Sequence, residues 1–266
     1  GYYNFLPQPI LEKYIEHIKE VNYQGSYYMR TVQWDNKNKA AAKLAALAGC
    51  SAEELIITRN TTESLDLAIG GQNWNAGDEA IMAEQDYGAM LDMFVQVKDR
   101  YGVVNKIISV PNHPKDDEEI VDLYRKAITP KTKMMWFSSP CNPSGSVYTK
   151  TELEALAEVL KKHPNIYVVS DEIYEHITYS GRNSSIGAIP GMENNTITVN
   201  GVAKAFAMTG WRIGYIGAPE FIAKACTKIQ GQVTSGANSI AQRATITAVE
   251  ADPSVLNEMV TAFKNR

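Results

Sequence analysis

The feature that most constrains the fold of this chain is the alternation of short apolar runs with amphipathic helical patterns along its 266 residues. Strand-like runs occur at 55–58, 79–84, 104–109, 133–138, 166–170, 196–199 and 213–217. Helical patterns occur at 9–22, 35–48, 61–70, 87–100, 116–127, 149–162, 219–230 and 235–250. This alternation is typical of layered α/β domains. We therefore predict a three-layer α/β/α fold around a mostly parallel seven-stranded sheet.

The composition argues against several classes of protein. A formal net charge of -4 gives no basic footprint for a nucleic acid, no apolar run is long enough for a membrane span, and no signal peptide is visible. Cys50, Cys141 and Cys226 are widely spaced, and the four histidines show no ligand spacing, so we predict neither a disulfide framework nor a metal site. We expect a cytoplasmic protein with no membrane or nucleic-acid partner.

One lysine lies among small and apolar residues in the run NGVAKAFAMTGWRIGY, residues 200–215. Burial disfavours the ammonium form, so Lys204 is expected to lose its proton readily and to form Schiff bases with carbonyls. Arg212 stays charged, and its planar fork of donors suits a phosphate. The pair meets two needs of pyridoxal 5'-phosphate (PLP). A buried loop with a snorkelling lysine and a surface arginine would give the same pattern.

Further polar residues follow the strands of the second half, at the edge where ligands of parallel sheets bind. Asp171 ends one strand and could keep a pyridine nitrogen protonated, with the Tyr174 hydroxyl near the phenolic oxygen of the ring. Asp171 could instead cap the next helix, and Tyr174 could pack on the surface. Asn142, in SSPCNPSG, could hold its amide toward a ligand or belong only to a turn. His176 could support Asp171 or be an ordinary loop histidine.

The first half adds two candidate sites after its strands. Thr61 and Thr62 open a helix, whose free N–H groups and dipole suit a phosphate. Asn60 and Glu63, or Thr61 and Ser64, also have the spacing of a capping box, and both interpretations can hold together. Tyr87 follows the run at 79–84 and could stack on a cofactor ring, or pack in the core at the start of a helix.

Residues 130–266 resemble class I aminotransferases of the aspartate aminotransferase type, which are PLP enzymes of fold type I. The matching strings are 138–145, 169–177 and 196–215. The resemblance implies a role for each matching residue: Lys204 forms the Schiff base, Asp171 pairs with the pyridinium nitrogen, Tyr174 and Asn142 contact the phenolic oxygen, and Arg212 binds the phosphate. The family usually has a serine shortly before the lysine, where this chain has Gly201 and Ala203.

Residues 1–130 resemble class V enzymes instead, a branch that includes isopenicillin-N-epimerase-like proteins and cysteine desulfurases. The matching strings are 25–30, 57–65 and 83–90. This resemblance implies that Thr61 and Thr62 bind the phosphate and that Tyr87 replaces a stacking histidine. Because the resemblance changes near 128–134, we expect a chimera within fold type I. A single divergent family is the alternative.

The resemblance also implies a division of the chain. Residues 1–34 would be an N-terminal helix and arm, partly truncated, 35–250 the PLP-binding large domain, and 251–266 the start of a truncated C-terminal helix or small domain. In the family the small domain carries the arginine that clamps the substrate's α-carboxylate, and no residue here is assigned to it.

The function expected from the resemblance is that of a PLP-dependent aminotransferase, acting on an amino acid and a 2-oxo acid with weak or no turnover. One alternative is a truncated or engineered scaffold that binds PLP without catalysis. The other is a class V-like lyase, desulfurase or epimerase, for which Cys141 is the candidate thiol. The resemblance further implies a homodimer, in which Tyr27, Tyr28 and Trp34 reach the partner's site or simply pack on their own domain.

Overall fold

A computed structural model describes residues 5–179 and 181–266, and its centre is one sheet in the order β1-β7-β6-β5-β4-β2-β3. The strands are β1 (Leu55–Thr58), β2 (Glu79–Ala83), β3 (Val104–Ile108), β4 (Thr132–Ser138), β5 (Tyr167–Asp171), β6 (Thr196–Gly201) and β7 (Gly214–Gly217). β7 is antiparallel to both β1 and β6, and the other neighbouring strands are parallel. The predicted mostly parallel, seven-stranded sheet is confirmed.

The helices also follow the predicted pattern. They are α1 (Gln8–Gln24), α2 (Gln33–Ala48), α3 (Thr61–Gly70), α4 (Gly88–Tyr101), α5 (Asp117–Ala127), α6 (Lys150–Leu160), α7 (Glu220–Val233), α8 (Ser239–Glu250) and α9 (Asn257–Lys264). α8 begins later than predicted because Ser235 and Gly236 are left-handed, with φ of 61° and 109°, and Asn238 caps the helix. Among the described residues, no helix has both the length and the apolar character that a bilayer crossing requires.

Alternate strand side chains enter different apolar clusters on the two faces of the sheet. Trp136 and Val169 pack with α3, α4 and α7, whereas Phe137 and Val168 pack with α5 and α6. Tyr215 joins a third cluster with α1, α2 and α8. Burying each large side chain contributes about 1.5–3 kcal/mol, so the helices are held firmly over both faces. The strand ends are left as the place where polar side chains can meet a ligand.

The antiparallel β7 brings two chain segments to the same edge of the sheet. β6 ends at Gly201, and β7 begins at Gly214, directly opposite it in the ladder. A Cβ on Gly201 would lie 2.9 Å from the Ile213 oxygen and 3.0 Å from the Gly214 Cα. Because both positions are glycine, the strands can approach closely, and the loop that carries Lys204 and Arg212 leaves and re-enters at the carboxyl edge of the parallel strands.

The N-terminal aromatic residues differ in their surroundings. Tyr28 lies in a π-helical turn between α1 and α2, is fully buried, and accepts a hydrogen bond of 3.3 Å from the Asn36 amide. The expectation that Tyr28 reaches a partner's site is therefore wrong, because its ring packs within its own chain. Tyr27 and Trp34 are 64% and 55% exposed. The predicted domain bounds stay predictions, and their first residues, 1–4, lie outside the described residues.

Candidate active site

One cavity of about 280 Å³ at the carboxyl edge of the sheet brings the predicted site residues together. It is lined by all eight of them: Thr61, Thr62, Tyr87, Asn142, Asp171, Tyr174, Lys204 and Arg212. Five further residues complete its lining: Asn60, Ser138, Ile173, Ala203 and Thr209. The cavity is formed because loops from both halves of the chain follow strands whose carboxyl ends meet at one edge.

Lys204 lies in a turn that follows β6. Phe206 donates its backbone N–H to the Val202 oxygen at 3.2 Å, which closes the turn, and the Lys204 Nζ lies 5.8 Å from the centre of the Tyr174 ring. Burial and then the charge of Arg212 lower the pKa of Lys204, while Asp171 acts in the opposite direction. The direction of this pKa shift agrees with the expectation that Lys204 loses its proton more readily than an ordinary lysine.

Asp171 is the last residue of β5 and is only 4% exposed. Its Oδ1 accepts the Ile173 N–H at 3.1 Å and so fixes the turn that follows. A turn and not a helix follows at residues 173–176, so Asp171 does not cap a helix as the alternative supposed. Burial raises the pKa of Asp171 to about 7, against the effects of the Ile173 N–H and of Lys204. A carboxyl group in such a setting ionises readily once a cation binds beside it, which suits a protonated ring nitrogen.

Asp86 is a buried acid beside the site that sequence analysis missed. Its Oδ2 accepts the Ala83 N–H at 2.8 Å, and the Ser138 N–H donates to the same carboxyl group. Burial raises the pKa of Asp86 to about 7, and the charge of Asp171 adds to this effect. Asp86 thereby joins the segment before Tyr87 to the end of β4. Its position directly after a strand was the available signal.

The remaining predicted ring contacts come from three loops. Tyr174 is half-buried, and burial followed by the charge of Asp171 raises its pKa. Tyr87 is 38% exposed, so it is not a core aromatic residue. Asn142 lies in a turn closed by the Gly145 N–H and the Cys141 oxygen at 2.9 Å. The turn and the ligand-facing amide therefore occur together, because Asn142 also lines the cavity.

The start of α3 lies on the wall of the cavity. Asn60 is the N-cap and accepts the Glu63 N–H at 2.9 Å, which leaves the first N–H groups of the helix, those of Thr61 and Thr62, without intrahelical acceptors. A Cβ on Gly214 would lie 2.5 Å from the Asn60 carbonyl carbon and 2.8 Å from the Thr61 nitrogen. Only glycine therefore allows β7 to approach this helix start.

Arg212 lies on the same wall, just before β7. Its backbone is left-handed, with a φ of 59°, and its Nη1 donates to the Thr209 oxygen at 2.7 Å. This bond fixes the guanidinium group while using one of its five N–H donors. An exposed, oriented guanidinium group next to a helix start is a suitable site for a phosphate.

Two other sequence candidates lie elsewhere. Cys141 is 8% exposed, its Sγ donates to the Gln85 oxygen at 3.5 Å, and burial raises the pKa of its thiol. It therefore lacks the mobile thiolate that a desulfurase requires. Of the two interpretations of His176, the contacts favour a loop histidine over a support for Asp171, because its ring contacts Glu175 and the ring of Phe206.

Comparison with known proteins covers the whole chain. The sequence profile of the family "Aminotransferase class I and II" matches residues 2–266. The match includes both halves, so it gives no support to a class V first half or to a chimera.

Named relatives belong to the same group. The "Aspartate/prephenate aminotransferase" of Nitrosomonas europaea is 49% identical over 147 residues, which are 54% of this chain and 37% of the relative. The protein of the same name from Thermus thermophilus is 40% identical over 200 residues, 71% of this chain and 49% of the relative. The matches thus span less than half the length of these two relatives.

Solved structures share the fold over nearly the whole chain. The aspartate aminotransferase of Rhizobium meliloti superposes with a TM-score of 0.82 at 28% identity, covering 99% of this chain and 65% of that one. An aromatic aminotransferase from Pyrococcus horikoshii OT3 also gives 0.82, at 26% identity, covering 100% of this chain and 70% of that one. The described architecture is therefore that of these enzymes.

Proposed function

Because the chain belongs to the class I and II aminotransferase family, we propose that it is a PLP-dependent aminotransferase that moves an amino group between an amino acid and a 2-oxo acid. One observation carries the proposal: an amine of lowered pKa, a buried carboxyl group and the N-terminus of a helix line a single cavity. Since two relatives are named for aspartate and prephenate, aspartate is the first amino donor to test.

The residues of the cavity fit PLP in charge and chemistry. Lys204 would bind its aldehyde and Asp171 its ring nitrogen, while Tyr174 and Asn142 would face its phenolic oxygen. Arg212 would bind the phosphate with Thr61 and Thr62, and Tyr87 would pack on the ring. When bound, PLP supplies an electron sink that stabilises negative charge on the α-carbon of the substrate.

The chain's own residues would hold and move the protons. Lys204 is half-buried and has a lowered pKa. Its amine would take the proton from the α-carbon of the substrate and deliver it to the carbon of the cofactor that carried the aldehyde. Asp171 would be anionic beside the cationic ring nitrogen and keep a proton on that atom. Tyr174 would donate its hydroxyl hydrogen toward the phenolic oxygen, since burial keeps the hydroxyl neutral.

The proposal extends to the organisation of the chain. Residues 35–250 would form the cofactor-binding domain, with 1–34 as an N-terminal segment and 251–266 as the beginning of another domain. A second copy would cover Tyr27 and Trp34, whose exposed rings are costly to leave in water. Light scattering tests this dimer, and a monomer with full PLP affinity would contradict it.

Borohydride reduction in the presence of PLP tests the cofactor. We expect mass spectrometry to find the reduced cofactor on Lys204 and to find none in Lys204→Ala, and an unlabelled Lys204 would overturn the proposal. Addition of aspartate should then release pyridoxamine phosphate. Labelled Lys204 without that product would indicate a PLP-binding scaffold that lacks catalysis.

A further inference from the structure

Two loops at the cavity are joined by a side-chain bridge outside the cavity lining. The first follows β5 and carries Tyr174, and the second follows β6 and carries Lys204. The Asn200 Nδ2, at the end of β6, donates to the Glu175 Oε1 in the first loop at 2.8 Å. The Gly201 N–H donates to the Asn200 Oδ1 at 2.7 Å. The nitrogen and the oxygen of the buried Asn200 side-chain amide are therefore both fixed by hydrogen bonds.

The same carboxylate oxygen takes a second contact. The His176 Nε2 lies 3.1 Å from the Glu175 Oε1, and the His176 ring lies 6.0 Å from the ring of Phe206. Glu175 also donates its backbone N–H to the Glu172 oxygen at 2.9 Å, which fixes its own loop. The Glu175 loop thus contacts the end of β6 directly at Asn200, and it contacts the Lys204 loop at Phe206 through His176.

These two anchor points lie on either side of Lys204 in the sequence. A shift of the turn that carries the amine would have to break the Asn200 bridge or separate His176 from Phe206. Because Glu175 is only about a quarter exposed, at 26%, and one of its oxygens both accepts the Asn200 amide and contacts His176, the bridge is more rigid than an ordinary surface pair. The loop with Tyr174 and the loop with Lys204 are therefore constrained relative to each other.

We propose that Glu175 is a positioning residue for the Lys204 amine, acting through Asn200 and His176; this inference rests on the proposed function. Its role is geometric. Both contacts fall on Oε1, so glutamine, which keeps one carbonyl oxygen at that place, can preserve them without the charge. Alanine removes them.

The test compares Glu175→Gln, Glu175→Ala and the control Glu154→Ala, which removes an exposed glutamate of a surface pair on α6. The readout is the rate at which PLP and borohydride label Lys204. We expect Glu175→Ala to slow labelling about 10- to 100-fold, as loss of positioning does. Glu175→Gln and Glu154→Ala should stay within about twofold of the unchanged protein, as surface pairs contribute little. In turnover, the loss in Glu175→Ala should fall on kcat and not on KM.

Two results would overturn the inference: labelling of Glu175→Ala at the normal rate, or equal slowing in Glu175→Gln and Glu175→Ala. If Glu175→Ala fails to fold, His176→Ala removes one of the two contacts of Glu175 Oε1 at a partly exposed position and should slow labelling severalfold. An unchanged rate there would equally overturn the inference. Acetylation of Lys204 by acetic anhydride in the cofactor-free protein should follow the same order. Because acetylation needs no PLP, it tests positioning even if PLP binding, and with it the proposed function, fails.

Discussion

Asp171 and Arg212 line the same cavity, yet their surroundings differ. Asp171 is buried at a strand end, where burial raises its pKa to about 7, and Asp86 lies near it with a pKa raised similarly. Arg212 is exposed and lines the same cavity as the start of α3. The Asp171 region therefore depends on excluding water, which sets protonation. In the Arg212 region, the guanidinium group is charged in any case, and the geometry of the backbone determines where that charge lies.

The largest expected effect is on the Asp171 region. Asp171→Asn keeps an oxygen that can accept the Ile173 N–H but removes the negative charge that would balance a ring cation. We expect kcat to fall about 10²–10³-fold, as when one preorganised electrostatic contact is lost. Steady-state kinetics at matched PLP loading measure this. The exposed Asp99→Asn is the control, and a kcat near normal in Asp171→Asn would remove Asp171 from the chemistry.

The same variant should show the cost of burying that acid in the cofactor-free protein. The folded-state pKa is raised from 3.8 to about 7, so the folded state binds more protons than the unfolded state between these values. The contribution of Asp171 to stability is then complete below about pH 4 and is lost as the pH rises to about 7. In this window, the free energy of unfolding of Asp171→Asn should rise relative to that of the unchanged protein by about 1.4 kcal/mol per pH unit. Urea unfolding at several pH values measures the gain, and parallel curves would contradict the burial argument.

In the Arg212 region, the sensitive position is Gly214. Gly214→Ala places a Cβ 2.5 Å from the backbone of Asn60, so β7 and the start of α3 must separate. We expect a loss of about 1–3 kcal/mol in the free energy of unfolding, as for overpacked sites, together with weaker binding of inorganic phosphate. Gly210→Ala is the matched control in the same loop, because its Cβ would meet nothing within 4 Å. Equal effects of the two changes would show that close approach is not the cause.

The smallest effect should come from Arg212→Lys, which keeps the charge but loses the planar fork of donors. We expect the Kd for PLP to rise about tenfold, or roughly 1.4 kcal/mol. Added salt should weaken PLP binding further because this region is exposed. Titration with pyridoxal, which lacks the phosphate, is the control and should show neither effect. If the substitution weakens the binding of pyridoxal as much as the binding of PLP, Arg212 does not act on the phosphate.

The fold could be predicted largely because apolar runs of strand length alternate with amphipathic helices of ordinary length. The direction of β7 could not, since an apolar run carries no information on direction, and its pairing depends on Gly201 meeting Gly214. The start of α8 was misplaced because the pattern extends over Ser235 and Gly236, whose left-handed backbone prevents a helix there. Tyr28 could not be assigned because its burial depends on the π-helical turn.

The candidate site was predictable where function rests on residues at or shortly after strand ends, as with Asp171, the last residue of β5, and Asn142, four residues after β4. The carboxyl ends of parallel strands lie at one edge of the sheet, so such residues come close together however far apart they are in the sequence. Asp86 was missed because a lone aspartate after a strand is also common in turns. The bridge between Asn200 and Glu175 was missed because it forms only where β5 and β6 are adjacent in the sheet. The order of the strands along the chain does not determine which strands are adjacent.

The reversed direction of β7 has a consequence for engineering. Its first residue, Gly214, lies opposite Gly201, the last residue of β6, and the Val202 N–H donates to the Ile213 oxygen at 3.3 Å, so the loop between the two strands is closed at its base. The Lys204 amine and the Arg212 guanidinium group both lie on this loop, so the conformation of the loop sets the distance between them. In another protein, the recipient would have to supply the acid at the end of β5, the helix start that faces Gly214, and the partners of Asn200 and Phe206.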